Sequence, residues 1–223
     1  MIRFRRSNLS PTPGNIIYYT GTSQITPSPT TGFGATYLAN ESVWDSTTGE
    51  GVLVFDGDIT SIPASAFRGK TGLLTMSLPN SVQTIESGAF RMDSYTSTLQ
   101  YINLGEGLKT IGNRSFMSNR KLQYMRIPDS VEHIHAYAFN TCPYIAEYTI
   151  GEGLKSFIDS TGVDSNNASG VCGLGYYTYK INWNAINCKD FARSSQSPFT
   201  SDSMFGDETE PNPIKQLVFG DRV

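Results

Sequence analysis

Four apolar columns recur at one spacing through the middle of this chain, and a chain built that way buries its columns only by stacking one repeat on the next. Phe67, Phe90, Phe116 and Phe139 stand 23, 26 and 23 residues apart. Five residues before each lies an isoleucine (Ile62, Ile85, Ile111 and Ile134), and Phe157 continues that column. Three residues earlier run Ile59, Val82, Leu108, Val131 and Leu154, and four before those run Phe55, Leu78, Leu104, Ile127 and Ile150. The turns follow the same period. Gly-Glu-Gly-Leu-Lys occurs at 105–109 and again at 151–155, and Pro79-Asn80-Ser81-Val82 matches Pro128-Asp129-Ser130-Val131.

Within a repeat, Leu73, Met76 and Leu78 face inward with Thr75 and Ser77 between them, and Leu99-Ile102-Leu104, Leu122-Met125-Ile127 and Ile145-Tyr148-Ile150 match. The alternation at the end of each stretch has period two and reads as a strand. A Pro or Gly ends it, a second short strand follows, and the Ala-Phe pair is expected to close the coil in one turn of 3₁₀ or α-helix. Each coil offers four or five inward side chains worth roughly 1.5–3 kcal/mol apiece, which outweighs the ordering entropy only when coils stack. The expected fold is mostly β: a solenoid of roughly 23-residue coils, short strands plus one-turn helical segments, behind a small N-terminal β cap. Three extra residues within 91–98 fall between coils, where a bulging loop costs little.

Composition narrows the function classes. Seventeen Lys+Arg against twenty Asp+Glu give a formal charge of −3, which offers no global attraction to nucleic acid. Mean hydropathy is −0.28, and the longest apolar runs (Ile16 to Tyr19, Val52 to Phe55) are far too short to insert as membrane helices. Met1 to Asn8 begin with a basic cluster but no apolar stretch follows, so no signal peptide is read. Three cysteines, Cys142, Cys172 and Cys188, cannot all pair and none sits in a C-x-x-C, which argues against a disulfide framework or zinc knuckle.

The repeat resembles the BspA-like, or Treponema-type, leucine-rich repeats, whose unit reads roughly L-x-x-I-x-I-P-x-S-V-x-x-I-x-x-x-A-F-x-x-C. The resemblance is strong over about 50–157. Cys142, three after Phe139, occupies the cysteine position, while Lys70, Asp93 and Asn119 stand there in other coils. Trp183-Asn184-Ala185 with Cys188 and Asp190-Phe191 is similar to a longer coil variant of that family. Segments 15–20, 33–35 and 54–62 look like the cap of repeat proteins encoded by gut-anaerobe bacteria and their phages. The resemblance implies a surface adhesin or host-recognition component that binds without catalysis.

The expected organisation is a flexible basic tail or docking segment over 1–14, a cap over 15–50 and a solenoid over 51–223. That solenoid is regular to 157, irregular over 158–213 and unfinished over 214–223. From Ile150 to Phe219 the columns span three periods. A half-finished last coil leaves strand edge and apolar columns to be covered, so self-association or a covering partner is expected.

Candidate chemistry is sparse. His133 and His135 flank Ile134 on a strand and could share a metal, but no third ligand is spaced to join them. Asp56-Gly57-Asp58 and the Asp159, Asp164, Asn166, Asn167 cluster could hold calcium, yet neither matches an EF-hand loop, and Asp56-Gly57 reads as a turn. Gly105-Glu106-Gly107 and Gly151-Glu152-Gly153 precede strands rather than helices and read as turns, not phosphate cradles. Four N-x-S sequons, at Asn8, Asn40, Asn113 and Asn167, carry little information in an Asn/Ser-rich chain. No nucleophile, base or cofactor motif is present. No cofactor, metal, nucleic-acid partner or membrane insertion is expected.

The outward strand positions are more informative. Thr75, Tyr101 and Asn103, Tyr124 and Arg126, Glu147, and Lys180 fall on successive coils, which sets Tyr101 beside Tyr124 with Arg126 flanking. Tyrosine and arginine anchor recognition surfaces because they combine contact area with a polar handle. A basic tail with Arg3, Arg5 and Arg6 ahead of the cap, at a start read as complete without a signal peptide, suggests docking on a particle. The expected role is a phage virion component of tail-fibre, receptor-recognition or decoration type, localised to the virion and contacting other virion proteins or a host-surface protein or glycan. The alternative is a bacterial cell-surface or secreted adhesin.

Overall fold

A computed structural model describes residues 13–93, 96–158, 180–184 and 216–219. The cap consists of β1 (Ile16–Gly21), β2 (Val43–Trp44) and β3 (Glu50–Val54). The coils follow as β4 (Ser61–Ile62), β5 (Leu73–Ser77), β6 (Thr84–Ile85), β7 (Tyr101–Asn103), β8 (Thr110–Ile111), β9 (Tyr124–Ile127), β10 (His133–His135), β11 (Glu147–Ile150), β12 (Ser156–Ile158), β13 (Lys180–Trp183) and β14 (Gln216–Phe219). Short strands β4, β6, β8, β10 and β12 form one parallel sheet. The longer strands form a second face, with β5 parallel to β7 and β9, β11, β13 and β14 parallel in that order. Between β7 and β9 the Gln123 N–H donates to the Gln100 carbonyl at 3.1 Å, so the ladder runs on across that junction. The result is the expected mostly-β solenoid with coils about 23 residues apart.

The third side of each coil is not helical. Around the Ala-Phe pair, alternate N–H groups serve different partners. Ser65, Phe67 and Gly69 donate to Ser87, Ala89 and Arg91 of the next coil, and Gly88, Phe90 and Met92 donate to Asn113, Ser115 and Met117. The N–H groups in between bond three residues back, Ala66 to Pro63 and Arg68 to Ser65. Half of the donors a helix needs are thus spent between coils, and the segment is a chain of turns. The turning point is a left-handed residue two before each phenylalanine: Ser65, Gly88, Arg114 and Tyr137, with φ between 53° and 64°.

Inward side chains stack in the order the columns dictate. Phe67, Phe90, Phe116 and Phe139 are fully buried and lie nearly parallel, with centroids 5.2, 5.1 and 5.3 Å apart. Phe33 of the cap meets one end of this pile edge-on at 6.4 Å, and Tyr148 meets the other at 6.1 Å. The cysteine position has a structural task. Cys142 Sγ donates to the Phe116 carbonyl at 3.1 Å, and in the preceding coil Asn119 Nδ2 donates to the Phe90 carbonyl at 2.7 Å. Each satisfies a carbonyl of the coil before it. Ser115 stands where the other coils carry alanine, is fully buried, and its hydroxyl has no hydrogen-bond partner. Ser115→Ala is therefore expected to stabilise the protein by about 1 kcal/mol and raise the melting temperature by about 2–4 °C in thermal unfolding.

The cap closes one end of the array. β1 pairs antiparallel with β5 and with β3, so the first parallel strand has no bare edge. Phe33 packs on Phe55 at 4.8 Å, and the buried Tyr19 hydroxyl accepts the Ile25 N–H at 3.1 Å. Pro13 and Gly14, assigned to the tail from sequence, belong to this end. The Gly14 carbonyl accepts the Ile59 N–H at 2.8 Å and the Ser81 hydroxyl at 3.1 Å. At the other end, Ile150, Trp183 and Phe219 share one register. The column expectation holds there, but two long steps replace the three of 23 residues, and β14 is the last strand in the sheet order. Residues 1–12, and most of the irregular and unfinished segments over 158–223, lie outside the described residues.

Candidate functional site

The outward positions of the longer strands fall in two rows that follow the strand register from the cap to β14. One row runs Glu50, Thr20, Thr75 and Tyr101, and from Tyr124 through Glu147 and Lys180 to Gln216. The other runs Val43, Val52, Tyr18, Ser77 and Asn103, and from Arg126 through Thr149 and Asn182 to Val218. Strand pleat dictates this: Met76, Ile102, Met125 and Tyr148 point to the core, so their neighbours point away.

Tyr101 and Tyr124 are exposed on adjacent coils, at 39% and 51%. Arg126 is exposed and forms a two-point pair with Glu106, Nη1 to Oε1 at 2.5 Å and Nη2 to Oε2 at 3.4 Å. Asn103 donates to Ser77 Oγ at 3.2 Å, and Asn182 donates to Glu147 Oε1 at 2.7 Å and to Thr149 Oγ1 at 3.1 Å. The polar members of the rows are thus tied across coils, which fixes the rotamers around the tyrosines. Exposed ion pairs of this kind add little stability, and their effect here is positional.

Thr75 departs from expectation. It is buried, not a surface contact, because the cap strand places Thr20 beside it with the two hydroxyl oxygens 2.6 Å apart, and Tyr101 flanks its other side. Glu147 is half-buried on β11, and Lys180 is placed in register beside it through the β13 backbone. Arg3, Arg5 and Arg6 lie outside the described residues. The sequence reading overlooked Glu106, because its Gly-Glu-Gly setting reads as turn alone, and Tyr18 and Val43, which extend the outward face onto the cap at 42% and 59% exposure.

The other candidates resolve into structural parts. His133 and His135 are half-buried on either side of Ile134, and burial, followed by the His133 charge, lowers the His135 pKa. Among the described residues no three His, Cys, Asp or Glu side chains converge as a metal site. Asp56 Oδ1 accepts the Thr36 N–H at 2.7 Å, and that bond lowers its pKa. Asp58 lies over Gly14. The calcium candidate at 159–169 lies outside the described residues. Burial pushes the Cys142 thiol up to about 12, so it stays protonated and unreactive.

A profile of the BspA type leucine rich repeat region matches residues 52–168 in six copies, a little over half of the chain. The chain belongs to the BspA-type leucine-rich repeat family. Among solved structures it is similar to the pneumococcal vaccine antigen PcpA, with a TM-score of 0.50 and 19% identity over 73% of this chain and 35% of that one. It is also similar to the Treponema pallidum leucine-rich repeat protein TpLRR, with a TM-score of 0.39 and 23% identity over 56% and 64% of the two chains. A Bacteroides ovatus leucine-rich repeat protein shows a TM-score of 0.25 and 16% identity over 74% and 60%. The chain spans about a third of the PcpA structure and less than two thirds of the other two. At these identities the likeness is one of fold. The sequence matches no curated protein. A BspA-type repeat array suggests a binding or structural role at a cell surface or in a secreted protein.

Proposed function

We propose that this BspA-type protein binds rather than catalyses, and that it attaches through the outward face of the longer strands to a protein or glycan. The observation that carries this is the pair of exposed tyrosines on adjacent coils, Tyr101 and Tyr124, beside the Arg126–Glu106 pair. Their backbone is held by intercoil hydrogen bonds, so binding there freezes little additional motion. Glu147 and Asn103 extend the same surface, the Lys180 position falls in register beside Glu147, and Thr75 packs beside Tyr101 in the same row.

The test is attachment of the labelled protein to glycan arrays and to mucosal cell monolayers. Changing Tyr101, Tyr124 and Arg126 together to Ala is expected to abolish attachment while the melting temperature falls by no more than about 3–6 °C, because surface changes usually cost under about 0.5 kcal/mol apiece. Retained attachment with lost stability assigns these side chains to the sheet instead. The location of the attachment surface divides two readings. A phage particle, with other virion proteins as neighbours and Arg3, Arg5 and Arg6 as a docking tail, is supported by the basic tail; a bacterial surface is supported by the family. Capsid and tail genes beside the coding sequence favour the particle, and surface-export genes favour the envelope.

A further inference from the structure

From Tyr18 on β1 to Tyr124 on β9 the outward face is polar but carries no unbalanced charge. Tyr18 stands beside Ser77 and Thr20 beside Thr75, Ser77 and Thr75 stand beside Asn103 and Tyr101, and Tyr124 and Arg126 follow on the next coil. Arg126, the one charged side chain in this set, is neutralised by its two-point pair with Glu106. The others offer hydroxyl and amide groups held in fixed directions. The hydroxyl oxygens of Thr20 and Thr75 lie 2.6 Å apart, Asn103 Nδ2 donates to Ser77 Oγ at 3.2 Å, and Asn103 Oδ1 accepts the Gly105 N–H at 3.4 Å. The relief is uneven. Thr75 is buried and Thr20 and Ser77 are half-buried, whereas Tyr18, Tyr101 and Tyr124 stand out. The result is a low hydroxyl floor between two aromatic ledges, Tyr18 on one side and the Tyr101–Tyr124 pair on the other. The exposed apolar positions of the face, Val43 and Val52, lie beyond Tyr18 and outside this strip.

That relief suits one class of ligand. A protein partner is held by an apolar centre that loses its water, with polar groups at the rim, and here the polar groups are in the middle. A hydroxyl covered without a hydrogen-bond partner costs about 1–3 kcal/mol, so whatever covers this floor must bring donors and acceptors of its own. An anionic ligand finds no cation to spare on the strip, because Arg126 is already engaged by Glu106. A neutral sugar chain meets all three demands: hydroxyls for the floor, C–H faces for the tyrosine rings, and no charge to compensate. The scale fits as well. β1 and β7 lie two strand steps apart, about 10 Å, and pyranose rings joined end to end repeat at close to one strand step.

We propose that the ligand of this face is a neutral, unsulfated glycan chain laid across the strands, with sugar rings on Tyr18 and on the Tyr101–Tyr124 ledge and their hydroxyls bonded to Thr20, Ser77 and Asn103 between. This assignment rests on the attachment role proposed above, narrows its ligand to one chemical class and extends its site onto the cap through Tyr18.

The full chain is tested on an array of neutral, sialylated and sulfated oligosaccharides and on mucosal cell monolayers. The neutral class is expected to bind. Attachment to the monolayers is expected to disappear after periodate oxidation of vicinal diols and to survive sialidase. Tyr18→Ala, at an exposed position, is expected to weaken binding about tenfold, the scale of one lost stacking contact, while Tyr18→Phe, which keeps the ring, stays within about twofold of the parent. Attachment that survives periodate, or is lost to sialidase, overturns the neutral glycan. If the Tyr101/Tyr124/Arg126 triple variant has meanwhile lost attachment, the surface itself stands and its ligand is a protein or an anionic glycan. Unchanged binding by Tyr18→Ala overturns the extension onto the cap. A triple variant that attaches like the parent, or a parent chain that binds neither array nor cells, overturns the ligand and the attachment surface together.

Discussion

Phe116→Ala is expected to cost roughly 3–5 kcal/mol, the range for removing a buried phenylalanine from a packed core. The ring is fully buried with a parallel neighbour on each side, Phe90 at 5.1 Å and Phe139 at 5.3 Å. Neither neighbour can collapse into the gap, because each is held in its own coil by a backbone ladder. The Phe116 N–H donates to Ala138 and the Phe90 N–H donates to Ser115. The Phe116 carbonyl also receives Asn119 Nδ2 of its own coil at 2.8 Å and Cys142 Sγ of the next at 3.1 Å, so a shift of this residue disturbs bonds within its coil and across the junction. In a stacked array the stability resides in the junctions between neighbours, and a break in the middle uncouples the halves. Chemical denaturation followed by circular dichroism should show the midpoint falling and the transition broadening. Phe116→Leu, which keeps most of the volume, should cost about 1–2 kcal/mol. A loss under about 1 kcal/mol for the alanine variant would mean the pile is incidental to stability.

The inward columns were legible because every coil repeats the same burial problem, and one strand with period two identifies its own faces. Thr75 was not legible. Its burial comes from Thr20, 55 residues away on a strand that joins the sheet from the cap, and no local pattern announces that neighbour. The turn ladder was missed for a different reason. Its left-handed position holds Ser65, Arg114 and Tyr137 as well as Gly88, so only one coil displays the glycine that signals such a conformation. Arg114 and Tyr137 instead use the geometry, with the guanidinium 5.3 Å from the ring centroid. Glu106 was hidden by its own turn: the residues that make it read as loop also aim it at Arg126. In the last coils the strand columns follow the sequence while the 23-residue period does not, because a register fixes which residues align but not how much chain lies between strands.

The alternation of Pro-x-Ser and Gly-Glu-Gly corners carries the second large effect. Coils with Gly105 and Gly107 follow the coil with Pro79 and Asn80, and Gly151 and Gly153 follow Pro128 and Asp129, so each glycine corner nests on a proline corner. The Glu106 N–H donates to Asn80 Oδ1 at 2.9 Å and the Glu152 N–H donates to Asp129 Oδ1 at 3.1 Å, which draws the two backbones together. A Cβ on Gly107 would overlap the Asn80 carbonyl oxygen, and one on Gly153 would overlap that of Asp129. Both obstacles are backbone atoms next to a proline whose φ is fixed, so they cannot swing aside as a side chain would. Gly107→Ala is expected to cost about 3 kcal/mol or more, the scale of overpacking at a site that cannot relax. Gly69→Ala is the control. Gly69 has φ of 68° with nothing within 4 Å of an added Cβ, so its cost is conformational alone and should be about 1 kcal/mol. Equilibrium unfolding of the two variants separates steric from conformational demand. Equal losses would show that neighbouring corners are not in contact, and the stacking distance that aligns the outward tyrosines would then rest on the strands alone.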